Sequence, residues 1–432
     1  MFFVFDIISI HIEIYIYFVY EFKGMGEVFM AGKRQIVHFT PQKGWINDPN
    51  GLIYVDGEFH MFYQHYPYDT KWGPMHWGHA VSRDLLTWKH LPVALYPTEN
   101  EYIFSGSAII DRENIMGFGN GEKVPMLLFY TSHNPKTGEQ MQSMAYSTDY
   151  VHFEKYKGNP IIKNIIGKAD YKKDFRDPKV FCDAVRGGFG MVLAAGCAVE
   201  FYHSDNLTEW TFTGEFYPKK HGYGGLCECP DLFLLEVNGE TKYILSMSMI
   251  ITEEGAPEET HIMQYFVGRF DGYVFENEQP FDKGQLLDFG KDNYAMVSFT
   301  DSPNPLMLGW GEDWNAARRN EEKEFFGKMT IAREIELCEI NGRYVIKQIP
   351  VCPTSDMETC EVWERQLTLK DGERIVVNGM IDLKNVGEAF FINQEKIQRR
   401  LRGNCEIRVF YDNGYYEVFA DEGMIVYSCN VS

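Results

Sequence analysis

The chain has 432 residues, 45% of them hydrophobic and 24% charged, which excludes an extended disordered tail and is enough for two packed domains. Its 62 acidic against 41 basic residues leave a formal charge of −21, a field that repels phosphate and excludes nucleic acid and anionic membrane surfaces as expected partners. Aromatic residues make up 15% of the chain, as 26 Tyr, 32 Phe and 8 Trp; this suits strands, and it also suits a site that stacks on sugar rings.

Residues 1–31 read as an apolar extension. It has no Lys or Arg before Lys23 and no small-residue cleavage site, so it does not read as a secretory signal, and a cytoplasmic protein is the expectation. Asp6, His11, Glu13 and Glu21 argue against a membrane helix. Ile at every second position from Ile8 to Ile16 has the period of a strand. The stretch reads either as an extra edge strand or as sequence upstream of a start at Met25 or Met30.

From residue 32 a pattern recurs. Ser82, Asp84 and Trp88 are followed by Ser147, Asp149 and Phe153 and then by Ser204, Asn206 and Trp210. Aromatic or β-branched runs precede each copy, and Asp56-Gly57, Asn238-Gly239 and Asp271-Gly272 are dipeptides that suit tight hairpins. Units of about 60 residues built from several short strands read as blades of a β-propeller, with a many-stranded β-sandwich as the competing fold. The stretch 314–325 is the one helical candidate, and its charge run 318–324 reads as a solvated loop or short helix. Beyond residue 350 the repeat ends. Two alternating runs, 406–411 and 415–420, flank Asp412-Asn413-Gly414, a hairpin signature within a second all-β module over residues 355–432.

The nine cysteines are odd in number and irregular in spacing, so no disulfide framework is implied and a reducing compartment fits. Cys227-x-Cys229 has no second pair, and His76-x-x-His79 has no third ligand or adjoining Glu, so no metal is expected.

Three acidic residues stand beside prolines: Asp48 before Pro49, Asp177 before Pro178, and Glu228 just ahead of Cys229-Pro230. Their separations match two blades and one blade. On the innermost strands of a propeller they would converge at the central axis. Clustered carboxylates in a partly dry pocket cannot all stay ionised, and one ionised plus one protonated carboxyl is what glycoside hydrolysis requires.

At this point Trp45-Ile-Asn-Asp-Pro-Asn-Gly51 closely resembles the W-M-N-D-P-N-G signature of glycoside hydrolase family 32, with Ile46 in place of Met. Phe62-Tyr63-Gln64, Trp72-Gly73, Trp77-Gly78-His79, Phe104-Ser-Gly-Ser107, Phe175-Arg-Asp-Pro178, Glu228-Cys-Pro-Asp231, Asp292-x-Tyr294-Ala295 and Gly309-Trp310 follow in the family's order. The resemblance implies an all-β protein: a five-bladed β-propeller over residues 32–350 followed by a β-sandwich. It also implies a retaining β-fructofuranosidase acting on sucrose or fructans. By the same resemblance Asp48 is the nucleophile, Glu228 the general acid and base, and Asp177 the transition-state stabiliser. Asn47, Gln64, Trp72, Phe104, Ser105, Arg176 and Trp310 line the fructose subsite. Retention implies carboxyl groups about 5–5.5 Å apart. No cofactor is required, the partner is a carbohydrate, and the oligomeric state is left open. Fructosyl transfer, sucrose 6-phosphate hydrolysis and an inactive sugar-binding propeller are the alternatives. Two departures from the family pattern stand out: Cys227, just before the acid, stands where many relatives have an aromatic residue, which leaves the lip of the acid's pocket undetermined, and the C-terminal module looks short.

Overall fold

The computed structural model describes residues 34–119, 121, 123–279, 285–351 and 361–431. The apolar extension 1–31 lies outside the described residues, as do Cys352 and Cys360. The described residues from Gln35 onward belong to one compact unit.

Five antiparallel sheets follow one another in chain order. Their innermost strands are Gly44–Val55, Tyr102–Ile110, Phe175–Cys182, Leu226–Val237 and Tyr294–Ser298, and each packs against the next, with the fifth against the first. This is a five-bladed β-propeller. Two segments close the ring: Phe325–Phe326 adds to the first strand in parallel, and Thr300 exchanges backbone bonds with Leu52 and Tyr54 at 2.8 and 2.9 Å.

Each blade is sandwiched between two neighbours, so both faces of its sheet are buried and the inner strands lose the usual apolar–polar alternation. The strand His76–Ser82 is buried at every position. Five apolar clusters fill the seams, each drawn mainly from two consecutive blades. Phe62, Trp77 and Tyr130 lie between blades 1 and 2, Phe129 and Met191 between 2 and 3, and Phe201 and Cys227 between 3 and 4. Met263 and Met296 fill the fourth seam, and Trp45 and Trp310 the fifth. Most of the aromatic content is therefore blade core.

The recurring Ser-x-Asp-x-x-x-Trp is the turn from the third to the fourth strand of a blade. Asp84 Oδ1 accepts from the amides of Leu86 and Thr87 at 2.9 and 2.7 Å, Ser82 Oγ accepts from the Leu85 amide, and Trp88 donates from Nε1 to the Leu85 carbonyl at 3.1 Å. Blades 2 and 3 repeat the motif with Asp149 and Asn206. Blade 4 carries a fourth copy that the sequence pattern concealed: Asp271 accepts from Tyr273 and Val274 at 2.8 and 2.9 Å, with Arg269 in the serine position and Phe275 as the plug. The residue after the acid has positive φ in every copy, at Leu85, Tyr150, Leu207 and Gly272.

Beyond the propeller, two four-stranded sheets enclose a core that includes Trp363, Phe390, Ile407 and Tyr416. The strands Cys405–Asp412 and Tyr415–Ala420 are joined by Asn413 and Gly414 at φ 43° and 91°, the turn that Asn-Gly favours. A buried polar network fastens this module to the propeller. His38 Nδ1 bonds Asp412 at 2.9 Å and its Nε2 bonds Glu417 at 3.2 Å. Arg333 donates to Asp288 at 3.1 Å and to Glu417 at 2.7 Å.

Candidate active site

In all five innermost strands, two residues oppose a single residue of the neighbouring strand at the same stage of the blade. The doubled pairs are Asn47-Asp48, Phe104-Ser105, Asp177-Pro178, Cys229-Pro230 and Ala295-Met296. A bulge of this kind re-aims side chains, and here five of them surround one axis. Asp177, Cys229 and Ala295 adopt φ of 64°, 43° and 52°, a left-handed conformation costly for residues with a Cβ. At Asp177 it is held by the amide's 2.9 Å bond to Thr131 Oγ1, which itself donates to Gln142 at 2.7 Å.

The bulges open into a cavity of about 470 Å³ at one end of the axis. Nine of the ten residues that the sequence assigns to the site line it: Asn47, Asp48, Gln64, Trp72, Phe104, Ser105, Arg176, Asp177 and Glu228. Asp48 receives hydrogen bonds from Ser105 Oγ at 2.6 Å and Asn47 Nδ2 at 2.9 Å. Asn47 in turn is oriented by Trp45 Nε1 at 2.7 Å. Burial raises the Asp48 pKa; the Ser105 bond opposes this, while the nearby charge of Glu228 adds to it. Asp177 accepts from the Cys229 amide at 2.9 Å. Its burial pushes the pKa up to about 7 against the opposing charge of Arg176.

Glu228 is held on both oxygens. Arg176 Nη2 donates to Oε1 at 2.9 Å and the Tyr294 hydroxyl donates to Oε2 at 2.7 Å. Arg176 is also paired with Asp174 at 2.9 Å. Relative to the prolines, Cys229 and not Glu228 is the counterpart of Asp48 and Asp177. Its Sγ sits 3.6 and 3.7 Å from their carboxyl oxygens, while Glu228 stands one residue earlier in the strand.

Trp310 is the exception among the expected subsite residues. It is fully buried at the end of the strand Leu306–Trp310, where its ring packs 6.1 Å from Trp45 and 4.9 Å from Trp314. Trp314 lines the cavity in its place. It opens a short helix, α1, Trp314–Arg319, whose cap Asp313 accepts from the Ala316 amide and bonds His261 Nδ1 at 3.0 Å. Arg318 of the same helix also lines the cavity, so part of the charge run read as solvated belongs to the site. Gln140, Asp174, Ile250 and Tyr294 were likewise unassigned; the clue for Tyr294 was its place in the Asp292-x-Tyr294-Ala295 motif.

The remaining candidates are structural. Cys227 is fully buried between blades 3 and 4 and does not line the cavity. His79 stacks on Phe62 at 4.1 Å, and His76 Nδ1 bonds the Pro74 carbonyl at 2.8 Å.

A propeller whose axial cavity gathers two separately held carboxyls, a third beside an arginine, and aromatic walls has the outfit of a carboxylate-based glycosidase. The family model of the glycosyl hydrolases family 32 N-terminal domain matches residues 38–350, and the chain belongs to that family. It is 43% identical over 367 residues to a levanase of Bacillus subtilis (strain 168), covering 83% of this chain and 52% of the levanase. It is 36% identical over 331 residues to an invertase of Schizosaccharomyces pombe, covering 72% and 54% respectively. The chain thus spans about half the length of these curated relatives. Among solved structures, exo-inulinase from Aspergillus awamori superposes with a TM-score of 0.80 at 27% identity, over 92% of each chain.

Proposed function

We propose that this chain is a retaining β-fructofuranosidase that releases terminal fructose from sucrose or fructans. The observation that carries this reading is the paired setting of Asp48 and Glu228: both face one cavity, yet each is fastened by its own donors. Relatives named as levanase, invertase and exo-inulinase support the substrate class.

In this mechanism Asp48 attacks the anomeric carbon while Glu228 gives its proton to the leaving glycosidic oxygen, forming a fructosyl ester on Asp48 and a free alcohol. Glu228, now anionic and held by Arg176 and Tyr294, takes a proton from water. That water breaks the ester and regenerates both carboxyls, so configuration is retained. Asp177 accepts from the fructose hydroxyls and opposes the positive charge of the oxocarbenium-like transition state, an interaction that strengthens as charge develops. Both arginines at the cavity are ion-paired, Arg176 with Asp174 and Glu228, and Arg318 with Glu259 at 2.8 Å. This favours a neutral sugar over a sugar phosphate.

The test is to incubate the protein with sucrose, kestose, inulin, levan and sucrose 6-phosphate and to resolve products over time. Release of free fructose, first formed as the β-anomer, is expected. Growth of oligosaccharides in place of free fructose, or release of the α-anomer, would overturn the reading.

A further inference from the structure

A set of aromatic rings continues from Trp72 at the cavity wall. Trp72 lines the cavity, is 45% exposed, and meets Phe104 and Tyr102 at ring distances of 6.1 and 6.4 Å. Beside it, the Tyr66 ring lies so close over Gly73 that a Cβ there would come within 2.5 Å. Tyr66 meets Tyr68 edge-on at 5.7 Å. Tyr68 and Tyr96 both set their rings against buried His76, at 5.8 and 5.6 Å. The two tyrosines are 72% and 56% exposed.

Large aromatic rings left in water beside a binding cleft mark an interaction surface. These rings are braced by edge contacts, so ordering them against a ligand costs little entropy. The ligand they suit presents apolar C–H faces between hydroxyls, as a sugar ring does. The chain's net charge of −21 disfavours an anionic polymer. The units of a polymer beyond the one held in the cavity must lie outside it, where the exposed rings that continue from Trp72 can meet them.

We infer that Tyr68 and Tyr96, continued from Trp72, form a binding surface for the part of a neutral fructan chain that lies outside the cavity. The inference rests on the proposed fructosyl hydrolase activity and deepens it: the preferred substrate is a polymer, and the disaccharide uses the cavity alone.

The test compares wild type with a Tyr68→Ala, Tyr96→Ala double variant on sucrose and on high-molecular-mass levan and inulin. The double variant is expected to lose about tenfold in kcat/KM on polymer, from the loss of two stacking contacts, with sucrose turnover within twofold of wild type. A Tyr68→Phe, Tyr96→Phe variant, which keeps both rings, is expected to retain polymer turnover. Equal loss on sucrose and polymer, no loss on either, or a Phe variant as impaired as the Ala variant would overturn the surface. So would a shift in oligomeric state on sedimentation, which would make the face a contact between copies of the chain. Failure of wild type to release fructose from any substrate would instead sink the catalytic reading.

Discussion

The Ser105 hydroxyl donates a 2.6 Å hydrogen bond to Oδ2 of Asp48 across the boundary between blades 1 and 2. The donor and acceptor come from bulges on different innermost strands, so the bond exists only once the two blades have docked. Burial raises the Asp48 pKa, and this bond is the largest influence holding it down.

Ser105→Ala should therefore raise the Asp48 pKa further and shrink the ionised fraction at acid pH. A hydrogen bond to a charged group contributes about 1.5–3 kcal/mol, and one pKa unit corresponds to about 1.4 kcal/mol. The acidic limb of the kcat/KM profile is expected to move to higher pH by about one unit or more. A limb that stays in place, measured on sucrose from pH 3 to 8, would show that Ser105 does not tune this carboxyl.

Asp48→Asn and Glu228→Gln should each lower turnover by orders of magnitude, about 10²–10⁴-fold for the acid–base group, with circular dichroism unchanged. Arg176 keeps Asp174 as a partner when Glu228 is altered, so the cavity wall should survive. Azide should partly restore a Glu228→Ala enzyme on a substrate with an activated leaving group, since it needs no general base, and should not rescue Asp48→Ala in the same way. Wild-type-like turnover in either conservative variant would remove the assigned roles.

Trp310 and Trp314 should separate cleanly. Trp310 is fully enclosed between Trp45 and Trp314, and Trp310→Ala is expected to cost about 3–5 kcal/mol of stability. Trp314→Ala, at the cavity wall, should chiefly raise KM with a smaller drop in Tm. Thermal unfolding and steady-state kinetics on the same two variants check both halves.

His38 should make the joint between the propeller and the C-terminal module sensitive to alkali. Burial alone would lower its pKa, but Asp412 and Glu417 outweigh burial and raise it to about 9. Because the folded-state value exceeds the unfolded value of about 6.5, the stabilisation is complete below pH 6.5 and is lost as pH rises through 9. Its size is of the order of 3 kcal/mol. Urea unfolding at pH 6 and pH 9.5 should show the loss in wild type, and His38→Gln should show a flatter dependence.

The sequence by itself determined the strand-rich class and the repeat, because these rest on local chemistry, and its ordered motifs, through the family resemblance they carry, marked nine of the fourteen residues that line the cavity. An Asp or Asn that accepts from amides two and three residues ahead writes the same short pattern wherever the turn recurs. The blade 4 copy does not show the pattern in sequence because Arg269 occupies the serine position, although Asp271 makes the same turn. The hairpin at Asn413-Gly414 was legible for the same reason.

Only the tertiary structure decided which side chains reach the axis. The sequence treated Glu228 as the counterpart of Asp48 and Asp177; the bulge in its strand instead puts Cys229 against both carboxyls and leaves Glu228 to Arg176 and Tyr294. Likewise Trp310 and Trp314 are four residues apart across a strand end and the start of α1. That change of backbone direction sends one ring into the core and the other into the cavity. Side-chain direction at a bulge or a strand-to-helix junction is set by register with neighbouring strands. Those neighbours lie tens to hundreds of residues away in the chain, so the deciding contacts leave no mark in the local sequence.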